Sequence, residues 1–107
     1  MDDDGHRITE RQDAADAVRV VLAGEFDLNN AAELTDALAR AVSRAGVARI
    51  VLDMRDTTFL DSSGIRAIAV AYQAALDAGR EFWLENLQHS VRRVFEILEL
   101  TMLFRQP

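Results

Sequence analysis

Short apolar runs alternate along this chain with segments of helical periodicity, and this alternation constrains the fold more than any other feature. The central run, Val47 to Met54, is apolar at most positions and is bounded by Gly46 and by the polar residues 55–58. Such a run is typical of a strand that is buried on both faces. Because helices between such strands act as crossovers, the chain is predicted to form a mixed, mostly parallel β-sheet with helices packed against it.

The predicted order of elements is β-β-α-β-α-β-α-β within a single α/β domain. Strands are assigned to residues 7–12, 17–23, 47–54, 81–84 and 101–104, and residues 24–27 are expected to break the second strand. The first helix follows Asn29 or Asn30 and stops at Gly46, the second runs from Ile65 to Gly79, and the third covers residues 91–98. Residues 1–6 are predicted to be an acidic flexible tail, and residues 7–107 to be the domain.

Composition excludes several classes of function. The chain has 107 residues, no cysteine and a formal net charge of −6. This charge disfavours nucleic acid as a ligand, and the lack of cysteine excludes disulfides and thiolate chemistry. The acidic N-terminus does not resemble a signal peptide, and no segment approaches the ~20 apolar residues of a membrane span. We therefore expect a soluble, cytoplasmic protein with no membrane partner, either a monomer or a dimer.

The residues that usually carry catalysis are scattered. His6 and His89 each lack a second histidine at metal-ligand spacing, and the isolated glycines form no phosphate loop. Asp53, Asp56 and Asp61 could form a Mg²⁺ site, although solvated loop acids and helix caps are the favoured interpretation. The sequence thus predicts neither an enzyme nor a bound cofactor or metal, and a small carboxylate-dependent hydrolase is the weakest of the alternatives.

The segment Asp61-Ser62-Ser63-Gly64 lies between the apolar pair Phe59-Leu60 and the predicted helix that begins at Ile65. A helix N-terminus has free backbone N–H groups and a positive dipole end, so it favours negative charge such as a phosphate on serine. Asp61 or Ser62 could also act simply as the N-cap. The two roles are compatible, because a cap hydroxyl at a loop is accessible to a kinase.

Four segments in order along the chain resemble the STAS domain, which sulphate transporters and bacterial anti-sigma factor antagonists share. They are Gly24–Asp27, Ile50–Asp53, Phe59–Ile65 and Val91–Phe95. The resemblance implies a STAS-like sandwich and, for a domain of this size without membrane spans, the role of an anti-sigma factor antagonist (anti-anti-sigma factor).

The resemblance also implies a phosphorylation cycle. The unmodified antagonist binds an anti-sigma factor serine kinase with an ATP-binding domain, which frees the sigma factor for transcription; phosphorylation ends this binding, and a serine phosphatase reverses it. The modified serine follows the motif's aspartate, which here is Ser62, with Ser63 as the alternate. Arg66 departs from the small residue often found at its position. The residues expected to bind the partner are Asp27, Asp61, Ser62, Ser63, Gly64 and Arg66.

A second interpretation keeps the fold and changes the role. The chain would then be a scaffold or accessory STAS domain in a stress-signalling or lipid-transport complex, without a phosphorylation cycle. The intact Asp61–Gly64 segment favours the phosphorylated switch.

Overall fold

A four-stranded sheet in the spatial order β1-β2-β3-β4 forms the centre of the molecule, and the computed structural model describes residues 5–105. Strand β1 is antiparallel to β2, whereas β2, β3 and β4 are parallel. The predicted mixed sheet and the element order as far as the third helix are confirmed. The elements are β1 His6–Ala14, β2 Ala17–Phe26, α1 Ala31–Ser43, β3 Arg49–Leu60, α2 Ser62–Asp77, β4 Glu81–Glu85, α3 His89–Ile97 and a 3₁₀ turn at Thr101–Leu103.

One face of the sheet forms the hydrophobic core. Alternate residues of a strand point to the same side, and the register places Val20, Leu52 and Leu84 side by side across β2, β3 and β4. All three side chains are buried in a single apolar cluster, which the helices complete. Helical members of this cluster include Leu34 and Leu38 of α1, Ile68 of α2, and Phe95 of α3. Among residues 5–105, no helix is long and apolar enough to span a membrane.

The opposite face of the sheet carries an ionic network of Arg19, Asp13, Asp53 and Glu85. The Arg19 guanidinium lies 3.0 Å from Asp13, 3.0 Å from Asp53 and 3.1 Å from Glu85, and its side chain is only 15% exposed. The hydrogen bond from Arg19 lowers the pKa of Asp13. Burial alone would raise the pKa of Asp53, but hydrogen bonds from Asn86, from the Arg55 backbone and from Arg19 outweigh burial and lower it.

The two central strands are longer than predicted. Strand β2 continues through the expected break as far as Phe26, and β3 continues through the polar residues 55–58 to Leu60. Register shifts between Val21 and Ala23, and between Gly24 and Glu25, allow the two strands to stay paired. Thr57 is fully buried, and its hydroxyl donates a 2.8 Å hydrogen bond to the Leu22 carbonyl, which offsets the cost of removing this polar group from water.

The predicted strand at residues 101–104 is wrong. Thr101–Leu103 is a 3₁₀ turn, and only Phe104 bridges to β4, through Leu84. The segment is too short to form a ladder, and it is held by burial of Leu103 and by the edge-on contact of Phe104 with Phe95.

Residues 1–4 of the predicted N-terminal tail lie outside the described residues, whereas Gly5 and His6 lie within them. His6 is the first residue of β1. Its Nε2 atom lies 2.8 Å from Glu33 of α1, and its ring packs edge-on against Phe26. These contacts attach the beginning of β1 to the core.

Candidate functional site at the start of α2

Helix α2 begins directly after β3, and Asp61 is its N-cap. Asp61 has extended backbone, and its Oδ1 atom accepts hydrogen bonds from the N–H groups of Ser63 at 2.8 Å and Gly64 at 3.1 Å. These are two of the donors that a helix start leaves without a partner in the helix. Of the two cap candidates that the sequence offers, Asp61 takes the role. The helix therefore starts at Ser62, three residues before the predicted Ile65.

Asp61 also ties the start of α2 to the loop between β2 and α1. Its Oδ2 atom accepts a 3.2 Å hydrogen bond from the N–H of Leu28. Its own N–H donates a 3.1 Å hydrogen bond to the carbonyl of Phe26. One residue thereby fixes two segments that lie more than thirty positions apart in the sequence.

The β2–α1 loop is held by its own side chains. The Asp27 carboxylate accepts a 2.9 Å hydrogen bond from the N–H of Asn29. The Asn30 amide accepts a 2.9 Å bond from the N–H of Asp27 and donates a 2.9 Å bond to the carbonyl of Glu25. Asn30 occupies the N-cap position of α1, yet its side chain makes no cap hydrogen bond, because it is engaged within the loop. The loop therefore has a defined shape.

The two serines of the site differ in environment. Ser62 is exposed in the first turn of α2, and its hydroxyl makes no hydrogen bond to any residue in the range 5–105. Ser63 is half-buried, since each helical residue is rotated by about 100° from the one before it. Gly64 permits the close approach of α2 to the sheet, because a Cβ there would lie 2.8 Å from Leu60 Cδ2 and 3.1 Å from the Phe26 carbonyl oxygen.

The segments next to Ser62 carry exposed apolar and charged side chains. Leu28 is 77% exposed and Phe59 is 48% exposed, and the β2–β3 register places Phe59 beside the exposed Glu25. Arg66, one turn along α2, is exposed and forms no ion pair within residues 5–105. Sequence reasoning missed Leu28, although an isolated leucine among Asp27, Asn29 and Asn30 is a detectable signal. It cited Phe59 only as part of the motif.

The acidic residues considered for Mg²⁺ take up different roles. Asp53 lies in the ionic network with Arg19, whereas Asp61 caps α2. In the part of the chain that the structure describes, no three metal-ligating side chains form a group that could hold an ion.

Asp27 is half-buried and brought next to Asp61 through Leu28, so the structure places the expected partner-binding residues around one helix start.

A family model for the STAS domain matches residues 7–106, which is nearly the whole chain. The chain belongs to the STAS domain family. This STAS domain is 29% identical, over 83 residues, to the anti-sigma-B factor antagonist of Bacillus subtilis strain 168. That alignment covers 78% of this chain and 74% of the relative.

Solved structures support the fold of this STAS domain. The unphosphorylated anti-sigma factor antagonist SpoIIAA superposes with a TM-score of 0.80 at 20% identity, covering 94% of this chain and 88% of SpoIIAA. The phosphorylated form of SpoIIAA, a Bacillus cell fate determinant, gives a TM-score of 0.70 at 22% identity, covering 94% and 91%. The sequence relative is an anti-sigma-B factor antagonist, and SpoIIAA shares the fold of this domain in both of its phosphorylation states.

Proposed function

We propose that this STAS domain is an anti-sigma factor antagonist that binds an anti-sigma factor serine kinase and is switched off by phosphorylation at Ser62. The observation that supports this most strongly is the exposed, unbonded hydroxyl of Ser62 in the first turn of α2. Because Asp61 caps the helix, the Ser62 hydroxyl is not needed as the cap of α2. The relation to an anti-sigma-B factor antagonist supplies the class of partner.

Phosphorylation of Ser62 weakens binding through charge at the contact surface. A phosphate adds about −1.5 to −2 charges at neutral pH. Asp61 is adjacent to Ser62, and Asp27 precedes Leu28, whose N–H donates a hydrogen bond to Asp61. The modified surface therefore becomes strongly acidic. An interface that buries one unpaired charge loses several kcal/mol of binding free energy. The partner therefore dissociates when the phosphate is present.

The domain itself tolerates the phosphate. The positive end of the α2 dipole favours an anion at this position, and Arg66 follows Ser62 by four residues, the spacing at which side chains are neighbours on a helix surface. The switch therefore acts through surface electrostatics with little change in fold. The chain acts as a non-enzymatic regulator of sigma-factor-dependent transcription in the cytoplasm, and a serine phosphatase restores the binding form.

Mass spectrometry after incubation with candidate anti-sigma factor kinases and ATP tests the proposal. We expect a single phosphate on the wild-type chain and none on Ser62→Ala, while the matched control Ser63→Ala is modified like the wild type. Modification confined to Ser63 would overturn the assignment of Ser62. No modification by any candidate kinase would overturn the switch and favour a scaffold or accessory role.

A further inference from the structure

The Asp61 carboxylate joins the helix start that carries Ser62 to the loop that carries Leu28. One carboxylate oxygen binds the N–H groups of Ser63 and Gly64, and the other binds the N–H of Leu28. The helix-capping role uses only the first oxygen. The hydrogen bond from the N–H of Leu28 to Oδ2 takes no part in capping the helix, so the cap alone does not explain it.

Leu28 is the most exposed large apolar side chain among the described residues, at 77%. Burying a leucine side chain contributes about 1.5–3 kcal/mol, which an isolated leucine in a polar loop forgoes unless a partner covers it. The loop is already ordered by Asp27 and Asn30, so little conformational entropy is lost when Leu28 is bound.

We infer that Leu28 is an apolar anchor for the same kinase, and that Asp61 is the positioning residue that holds this anchor beside Ser62. The inference rests on the proposed function. Its specific content is that a pocket on the kinase takes the Leu28 side chain and thereby aligns the Ser62 hydroxyl to attack the γ-phosphorus of ATP. The Ser62 Oγ–P bond forms as the bond between the γ-phosphoryl group and ADP breaks, ADP leaves, and the hydroxyl proton is released. The role of Asp61 is then more than capping, because it sets the spacing between anchor and hydroxyl.

The substitution Asp61→Asn separates the two roles of Asp61. Asparagine caps helices as well as aspartate does, so the bonds to Ser63 and Gly64 are kept. Its amide nitrogen replaces the oxygen that faces the N–H of Leu28, which sets a donor against a donor and breaks the link. The substitution Leu28→Ala removes the anchor itself. Leu76→Ala is the matched control, because Leu76 is 47% exposed near the other end of α2.

The affinity of these variants for the kinase that modifies Ser62 is measured in the unphosphorylated state. We expect Leu28→Ala to weaken binding about tenfold or more, as for an apolar anchor, and Leu76→Ala to leave it unchanged. Asp61→Asn should weaken binding in the wild-type background and have almost no further effect in Leu28→Ala, because both act through one side chain. Equal affinities of Leu28→Ala and Leu76→Ala, or independent and multiplicative effects of Leu28→Ala and Asp61→Asn, would overturn the inference.

Hydrogen exchange of the Leu28 amide in the free protein tests the positioning without any partner. We expect protection in the wild type and loss of protection in Asp61→Asn, with the amides of β2 and β3 unchanged. Equal protection in both proteins would contradict the role of Asp61. This result stands whether or not Ser62 is phosphorylated, so it separates a failure of the inference from a failure of the proposed function.

Discussion

The ionic network on the sheet and the start of α2 both depend on an aspartate that accepts several hydrogen bonds, but they leave very different surfaces. In the network, Arg19 is shared by three carboxylates and is almost buried. At the start of α2, both oxygens of the Asp61 carboxylate accept hydrogen bonds. The Ser62 hydroxyl beside it nevertheless has no hydrogen-bond partner in residues 5–105, and Leu28 is exposed.

This difference separates a stabilising cluster from an interaction surface. A buried charge must be paired, so the network is satisfied within the protein and presents little to a partner. An exposed hydroxyl without a hydrogen bond and an exposed leucine do not stabilise the fold. They can contribute binding free energy, or accept a modification, only when another molecule contacts them. We therefore expect changes in the network to alter stability, and changes around Ser62 to alter binding.

The largest effect on stability is expected for Arg19→Met. This change removes the cation from beside Asp53, which is mostly buried, and leaves that carboxylate with its hydrogen bonds but without a counter-charge, at a cost of about 3–5 kcal/mol. Chemical denaturation measures the loss. Binding to the kinase should be unchanged at temperatures where the variant is folded, and a stability within 1 kcal/mol of wild type, roughly a single hydrogen bond, would show that the network is not stabilising.

Acid should weaken the same network. The pKa values of Asp13 and Asp53 are lowered below 3.8 in the folded protein, so their contribution to stability is fully present above that pH. It is lost as the pH falls through the folded-state pKa values, because protonation weakens the hydrogen bonds that Asp53 accepts from Asn86, from the Arg55 backbone and from Arg19, and the one that Asp13 accepts from Arg19. Denaturation at a series of pH values should show this decline in the wild type and a shallower one in Arg19→Met. Identical slopes in the two proteins would contradict the assignment.

A smaller effect is expected for Asp61→Ala. Loss of the cap of α2 should lower the free energy of unfolding by about 1 kcal/mol, with 2 kcal/mol as the upper end of the range. Thermal or chemical denaturation checks this value. Asp61→Asn should recover most of the loss, and if it is as unstable as Asp61→Ala, the bond to Leu28 and not the cap would be the stabilising contact.

The smallest effect on stability is expected for Ser62→Ala. Because the hydroxyl is exposed and unbonded within residues 5–105, its removal should change the free energy of unfolding by less than about 0.5 kcal/mol. The same variant should lose all phosphorylation. A marked destabilisation would mean that Ser62 has a structural role, and the contrast with the ionic network would fail.

The helices could be predicted from sequence because their signals are local. The apolar spacing in α1 and α2 reflects one buried face each, and this pattern needs no knowledge of the rest of the fold. The extension of β3 through residues 55–58 could not be predicted in this way. It depends on pairing with β2 across two register shifts and on the hydrogen bond between Thr57 and Leu22, which are long-range contacts.

The same distinction applies to the site. Ser62 could be selected from a short motif, because helix starts and their capping residues are close in sequence. The link between Asp61 and Leu28 joins residues from different loops, so no local pattern reveals it. At residues 101–104 the local pattern was misleading. The apolar segment predicts a strand, but only Phe104 is in position to bridge to β4.

The most direct test of the phosphorylation switch is the affinity of the unmodified domain and of the domain stoichiometrically phosphorylated at Ser62 for the kinase. We expect the phosphorylated form to bind at least roughly 100-fold more weakly, because the phosphate adds negative charge beside Asp61 that would have to be desolvated at the interface without a counter-charge from the kinase. Equal affinity of the two forms would contradict the switch.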